Sequence, residues 1–100
     1  MRIVIPVNRD NRDIIDSMNN NPLYLKIELD EKTEIKTEEY LEDYSSLLNY
    51  GVVDYMIVNA QDEPTFIFLE YNIFLLQADK NSKVDDVIEA FRFKELKEVI

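Results

Sequence analysis

Three evenly spaced aspartates follow the first apolar segment of the chain, and carboxylates in such a series can hold a hard cation. Asp10, Asp13 and Asp16 are separated by three residues each. A calcium-binding loop normally needs a glycine for its sharp bend, and this segment has none. Arg9 and Arg12 lie among the aspartates, where they are expected to compensate the negative charge. The segment therefore predicts a solvated surface rather than a metal site.

Side chains that coordinate zinc or iron–sulfur clusters are missing from the sequence. The chain has no cysteine and no histidine, so neither a thiolate nor an imidazole is available. Met56 falls in an apolar run that predicts a buried strand, which assigns it to the core. Met18 lies in a polar loop, but a lone thioether is a weak ligand, so ordinary packing is expected there too. We expect no metal and no metal cofactor.

Catalytic groups are also sparse. The serines have no histidine to activate them, and Ser82 is better explained as a helix cap. Gly51 is the only glycine, so the chain cannot form a glycine-rich phosphate loop. A two-metal nuclease needs carboxylates on its central strands, and the first predicted strand, Ile3-Val4-Ile5, carries none. The prediction is that this protein is not an enzyme.

Charge and composition exclude several kinds of partner. The formal net charge is −10, from 21 acidic and 11 basic residues, which disfavours binding to nucleic acid or to an anionic membrane. Apolar residues make up 46% of the chain, enough to predict one folded domain over residues 1–100. No apolar run approaches the roughly 20 residues that span a bilayer. Because the chain has no cysteine, nothing in it indicates an oxidising compartment, and a cytoplasmic location is expected.

The first half of the chain predicts three strands. The β-branched run from Arg2 to Val7 indicates a buried strand. From Leu23 to Leu29, apolar residues alternate, with Leu23, Leu25, Ile27 and Leu29 on one face and Tyr24, Lys26 and Glu28 on the other, which is typical of a half-buried strand. A turn over 30–33 then leads to a short strand around Glu34-Ile35-Lys36, and the two form a predicted hairpin.

The second half predicts helices alternating with strands. Thr37 is a plausible N-cap for a first helix, since Tyr40, Leu41, Tyr44, Leu47 and Leu48 recur at three- and four-residue spacing, and Gly51 would follow its end. A strand is expected at Tyr55–Val58, a short helix at Pro64–Tyr71 and a strand at Ile73–Leu76. A last helix, capped by Ser82 in a capping box with Asp85, presents Val84, Val87, Ile88, Phe91 and Leu96 on one face. The element order predicts an α/β protein with a mixed five-stranded sheet flanked by about three helices.

Four segments resemble the dinitrogenase iron-molybdenum cofactor biosynthesis family. These are the opening strand Arg2–Val7, the turn Pro22-Leu23-Tyr24-Leu25, the passage Leu47–Asp54 that includes Gly51, and the closing helix Val84–Phe91. Their order and spacing cover roughly residues 1–93. The resemblance implies a ribonuclease H-like motif and a role in carrying or binding iron–sulfur or iron-molybdenum cluster precursors.

The family's hallmark loop before the second strand is altered in this chain. Ser17 stands where the family has a histidine, Asn19 where it has a glycine, and Ala60 where a glycine follows the fourth strand. No functional role is therefore carried over to a single residue, and the chain is identified as a divergent member. The ligand cleft that the resemblance implies has as its candidate residues Asn8, Ser17, Met18, Asn19, Asn59, Ala60 and Gln61.

Two functional hypotheses follow. The first is a non-catalytic binding or accessory domain that resembles iron-molybdenum or iron–sulfur cofactor carriers, with cluster binding altered or lost. The second is a protein-interaction module that uses an acidic or aromatic face to hold another protein or a second copy of itself. The five phenylalanines exceed what one small sheet needs, and exposed ones would allow a dimer. The tyrosines are expected to pack in the core with their hydroxyls reaching water, and a partner-binding face is the alternative for them.

Overall fold

A computed structural model describes residues 1–59 and 65–99 of the chain. In these ranges the chain forms six strands, two α-helices and two short 3₁₀ turns. No helix in the described ranges is long and apolar enough to cross a bilayer. The strands are β1 (Arg2–Val7), β2 (Leu23–Leu29), β3 (Ile35–Leu41), β4 (Tyr55–Val58), β5 (Phe74–Gln77) and β6 (Lys97–Val99); the helices are α1 (Phe66–Leu69) and α2 (Val84–Arg92); the 3₁₀ turns are Met18–Asn20 and Ser45–Leu47.

The strands form one mixed sheet in the order β3-β2-β1-β4-β5-β6. The central strands β1, β4 and β5 are parallel, whereas β2, β3 and β6 each run antiparallel to a neighbour. The predicted α/β class and mixed sheet are thus confirmed, with six strands in place of five and, in the described ranges, two α-helices in place of about three. β6 was missed because it is short and charged, and only its pairing with β5 makes it a strand.

The two faces of the sheet have separate apolar cores. The helix face, which α2 covers, holds Leu23, Leu25, Ile27 and Leu29 of β2, as the alternation predicted. The loop face, which α1 and the Ser45–Leu47 turn cover, includes Tyr24 together with Phe68. Because side chains alternate along a strand, this division fixes the register of β2 against β1.

The helix predicted from Thr37 to Leu48 is wrong, because this segment begins as the edge strand β3. Leu41 pairs with Tyr24, and Tyr40 pairs with Leu25. A 3₁₀ turn follows, and it brings Leu47 into the loop-face core, where Leu41, Tyr44 and Leu48 also pack. The apolar residues that recur every three or four positions thus belong to a strand end and a tight turn that pack against the same core. Pairing of β3 with β2 outweighs the helical pattern.

The remaining predicted elements are shifted or trimmed. The helix expected over 64–71 is α1, Phe66–Leu69, and Pro64 lies outside the described residues. The strand after it, β5, begins one residue later than predicted. The capping role of Ser82 is wrong: Lys83 is the N-cap of α2 and makes no side-chain cap, while the Ser82 hydroxyl donates to the Asp79 carbonyl over 2.6 Å. α2 ends at Arg92, and Leu96 packs against the same core from beyond the helix.

Candidate functional site

The candidate cleft lies at the carboxyl edge of the sheet, where β1, β4 and β5 end. In open α/β sheets, ligands commonly bind in the crevice outside the carboxyl ends of parallel strands. Asn8 directly follows β1 and Asn59 directly follows β4, and these two strands are neighbours. Two of the predicted cleft residues thus stand at adjacent strand ends, and the candidates Ala60 and Gln61 lie outside the described residues.

Asn8 organises the loop that begins at this edge. Its Oδ1 accepts hydrogen bonds from the backbone N–H groups of Asp10 and Asn11, each over 2.9 Å. Its Nδ2 donates to Asp16 Oδ2 over 3.1 Å, and its backbone N–H donates to the Ile14 carbonyl over 2.9 Å. Such an Asx turn fixes the local path of the backbone. Both the oxygen and the nitrogen of the Asn8 side-chain amide therefore take part in hydrogen bonds that hold this loop.

Asp16 continues the same network toward the second half of the loop. Its Oδ1 accepts from the Ser17 backbone N–H over 2.8 Å and from Asn20 Nδ2 over 2.9 Å. Ser17 is the N-cap of the Met18–Asn20 turn, and its Oγ accepts from the Asn19 N–H over 3.1 Å. The structure therefore brings Asn8, Ser17 and Asn19 into one hydrogen-bonded loop.

Met18 turns away from this loop and into the protein. Only 7% of its surface is exposed, and it belongs to the loop-face core with Tyr24, Leu47 and Phe68. Its thioether is thus part of the packing between the Met18–Asn20 turn and the sheet, in agreement with the packing interpretation of the sequence. Asn19 in contrast is exposed, and Asn59 is half-buried.

The three aspartates take separate positions. Asp16 is engaged by the loop network described above, and the Asp13 backbone carbonyl accepts from the Val84 N–H over 2.8 Å at the start of α2. Among the described residues, no three acidic side chains approach closely enough to hold a metal ion. Asp10 lies on the exposed turn that the Asn8 side chain stabilises.

The expectation that Arg9 and Arg12 compensate these aspartates is wrong. Arg9 pairs with Glu42 (Nη1 to Oε2, 2.7 Å), donates from Nη2 to the Glu42 carbonyl over 3.1 Å and donates from Nε to the Asn21 carbonyl over 2.6 Å. The Arg12 guanidinium lies over the Tyr40 ring, 4.6 Å from its centroid. Both arginines thus bind the end of β3, and Arg9 ties the loop after β1 to it. Neither contact has a local sequence signal, since the partners lie about thirty residues away.

A second polar turn borders the end of β3. Asp43 Oδ1 accepts from the backbone N–H of Ser45 over 2.9 Å and from its hydroxyl over 2.5 Å. These bonds favour the ionised carboxylate, the hydroxyl bond most, and they lower the pKa of Asp43 below its ordinary value. The Asp43 carboxylate is fully exposed, so these bonds stabilise only the start of the Ser45–Leu47 turn.

Comparisons with known proteins show the fold. No family model matches the sequence, and no curated protein matches it. The structure is similar to that of MJ0327 from Methanocaldococcus jannaschii, a protein provisionally described as a dinitrogenase, with a TM-score of 0.77 and 23% identity over 99% of this chain and 94% of that one. It is also similar to PH0822, with a TM-score of 0.72 and 16% identity over 99% and 96% of the two chains.

A third likeness is to the apo form of the orange protein from Desulfovibrio gigas, with a TM-score of 0.70 and 14% identity over 98% of this chain and 92% of that one. In all three cases the match extends over nearly the whole of both chains. At these identities, what the chain shares with the three proteins is the fold alone.

Proposed function

We propose that this chain is a non-catalytic accessory domain that binds its ligand at the carboxyl edge of the sheet without coordinating a metal cluster. The proposal is supported by the likeness to the provisionally described dinitrogenase and to the orange protein over more than nine-tenths of each chain. The observation that carries it is the loop that Asn8 and Asp16 hold at the strand ends, because its internal hydrogen bonds fix a polar surface that includes the exposed Asn19.

The donors at this edge do not fit an iron–sulfur or iron-molybdenum cluster. Such clusters are held by thiolate or imidazole ligands, and the chain has neither cysteine nor histidine. The one sulfur atom in the loop is that of Met18, and it is packed in the loop-face core. Recognition at this edge would therefore rely on hydrogen bonds and shape.

The hydroxyl groups of Ser17, Ser45 and Ser82 support a non-catalytic role. A nucleophilic serine needs an adjacent base, normally a histidine. The Ser17 hydroxyl instead accepts from the Asn19 N–H, that of Ser82 donates to the Asp79 carbonyl, and that of Ser45 donates to Asp43. Each of these serines is engaged in a turn.

Anaerobic incubation with ferrous iron and sulfide, or with tetrathiomolybdate, followed by gel filtration in a chelating buffer, tests the proposal. We expect the wild-type chain to elute with far less than one metal atom per chain. The variant Ser17→His puts an imidazole where the family resemblance has one, and it should retain measurably more metal than the matched control Ser46→His at an exposed position.

Stoichiometric metal in the wild-type protein would refute the absence of cluster coordination. If Ser17→His gained no more metal than Ser46→His, the loop would not be a ligand-binding position, and the carboxyl edge would lose its support as the site. Metal analysis of the eluted protein and its visible absorption report both outcomes.

A second candidate function, a protein-interaction module, is favoured by the exposed face of α1. Phe66 is 82% exposed and Leu69 is 39% exposed, and residues three apart lie side by side on a helix. Exposed aromatic residues are typical of surfaces that hold a partner. Self-association measured by sedimentation, or binding to a purified candidate partner, should weaken in Phe66→Ser but not in Phe93→Ser, which replaces another largely exposed ring beyond the end of α2.

A further inference from the structure

A pocket lies at the amino edge of the sheet, opposite the candidate cleft, on the helix face. It has a volume of about 490 Å³, within the range of sites that hold small organic ligands. Its walls are mainly apolar and are formed by Met1, Tyr55, Leu76, Phe91 and Leu96. Tyr55 is the first residue of β4, so the pocket is separated from the loop around Asn8 by the length of the strand.

The pocket exists because α2 covers only part of the helix face. The helix packs over the carboxyl half of the sheet through Val84, Val87 and Ile88 and ends at Arg92. Beyond it, the Tyr55 ring contacts the Phe91 ring edge-on, with centroids 5.3 Å apart, and the Phe74 ring at 5.8 Å. Phe74 is 59% exposed, so the aromatic wall continues from the pocket to the surface.

Two basic side chains border this apolar pocket, and the N-terminal ammonium of Met1, also at the pocket, donates to the Leu29 carbonyl over 3.0 Å. Arg92 donates from Nε to the Thr33 carbonyl over 2.8 Å, which holds its guanidinium in place, while Lys94 lines the pocket beside it. Neither forms an ion pair with any residue of the described chain, although the sequence has 21 carboxylates. Glu98, which also lines the pocket, lies beyond ion-pair distance of both. The guanidinium therefore keeps donors for an external anion.

Backbone strain is concentrated at the same place. Among the described residues other than glycine, positive φ angles occur at three asparagines, which tolerate them, and at Thr33 (62°) and Lys94 (57°). Lys94 takes the left-handed position that commonly follows a helix end, whereas the β-branched Thr33 is an outlier, and strain of that kind tends to be kept where a ligand is held. Both residues line the pocket, and the Arg92 side chain links the hairpin of Thr33 to the end of α2.

We propose that this pocket binds a small carboxylate with an apolar body. The aliphatic or aromatic part would lie against Tyr55, Phe91 and Leu96, and the carboxylate would accept hydrogen bonds from Arg92 with Lys94 nearby. Apolar walls with a few convergent polar groups are typical of small-molecule sites, and a guanidinium suits the geometry of a carboxylate. This site is independent of the carboxyl-edge cleft and of its proposed role.

Titration of the ¹⁵N-labelled chain with octanoate, followed by NMR, tests the inference. We expect saturable shifts at the amides of Thr33, Tyr55, Arg92 and Lys94. 1-Octanol, which has the same apolar chain and no charge, should bind more weakly, and octyltrimethylammonium should bind least. Arg92→Gln should weaken octanoate binding about three- to tenfold, as expected for the loss of one hydrogen bond from an exposed side chain. Lys80→Gln, the same charge change in the turn after β5 at the carboxyl edge, should not.

Three results would overturn the proposal. One is the absence of saturable shifts below the micelle concentration of octanoate. Another is that octanoate and 1-octanol bind equally well, or that octanoate binds equally well to the wild type and to Arg92→Gln. In either case the pocket would be an apolar surface without anion selectivity. The third is a concentration-dependent dimer, seen by sedimentation, that Phe74→Ser dissociates and octanoate does not, because a second copy would then be the occupant.

Discussion

The side chain of Asn8 donates from Nδ2 to Asp16 Oδ2 over 3.1 Å, and this bond closes the loop that follows the first strand. Eight residues separate the two partners, and each also accepts from backbone N–H groups within the loop. The loop at the carboxyl edge is therefore held mainly by side chains, which makes its geometry sensitive to single substitutions.

Asn8→Ala should destabilise the protein by about 1–3 kcal/mol, because it removes one acceptor for two backbone N–H groups and the donor to Asp16. Urea unfolding measures the change, and hydrogen exchange should accelerate at Asp10 and Asn11. Asn19→Ala is the control, since the exposed Asn19 side chain lies outside this network, and its effect should stay within about 0.5 kcal/mol. Equal effects of the two substitutions would contradict the role assigned to Asn8.

The two phenylalanines of α1 offer a test of the orientation of that helix. Phe68 has 0% of its surface exposed and contacts the Tyr44 ring at a centroid distance of 5.5 Å, whereas Phe66 is largely exposed. Phe68→Ala should cost about 3–5 kcal/mol in unfolding free energy, because it leaves a cavity in the loop-face core. Phe66→Ala should change it by less than about 0.5 kcal/mol. Thermal or urea unfolding compares the pair, and a larger loss from Phe66→Ala would mean that α1 packs with its opposite side.

The parts of the fold that the sequence predicted are those with strong local patterns. The strands β1 and β2 followed from a β-branched run and from strict alternation, because β1 is buried on both faces of the sheet and β2 buries one face along its whole length. The helix predicted over 37–48 failed because Leu41, Tyr44 and Leu47 reach the same core from a strand end and a turn. A spacing of three or four residues does not distinguish these two arrangements without knowledge of the partner strand.

The geometry of the loop that holds the candidate cleft residues could be predicted only in part. Asn8 and Ser17 were selected through the family resemblance, and the structure joins them in one loop. The role of Arg9 could not be foreseen, because its partner Glu42 is 33 positions away and the contact depends on how β3 pairs. Whether the predicted cleft residues bind a ligand stays a prediction.

The acidic turn after β3 should show a measurable pH dependence. NMR titration should give Asp43 a pKa below its ordinary value of about 3.9, and Ser45→Ala should raise that pKa toward the ordinary value. Since the folded-state pKa is lowered, the bonds from Ser45 stabilise the protein above the unfolded-state pKa, and this contribution is lost as the pH falls through the folded-state value. Ser46→Ala is the matched control, and an equal shift in it would rule out the bonds from Ser45 as the cause.

Two residues with left-handed backbones should respond in opposite ways to substitution. Gly51 has φ of +79°, and a Cβ at this position would meet no atom within 4 Å, so Gly51→Ala tests backbone strain without a clash. It should destabilise the protein by about 1 kcal/mol, the usual cost of the left-handed region for a residue with a side chain. Lys94, with φ of 57° at the end of α2, already bears that cost.

Lys94→Gly should therefore raise the free energy of unfolding by about 0.5–1 kcal/mol, because the relief of strain exceeds the entropy that glycine adds to the unfolded chain. Urea unfolding at constant pH measures both variants. Lys83→Gly serves as the reference, since Lys83 has an ordinary extended backbone (φ −75°, ψ 143°) and glycine there relieves nothing. If Lys94→Gly lowered stability as much as Lys83→Gly, the left-handed backbone at the end of α2 would not be strained. Lys94 would then give no support to the amino-edge pocket as a ligand site.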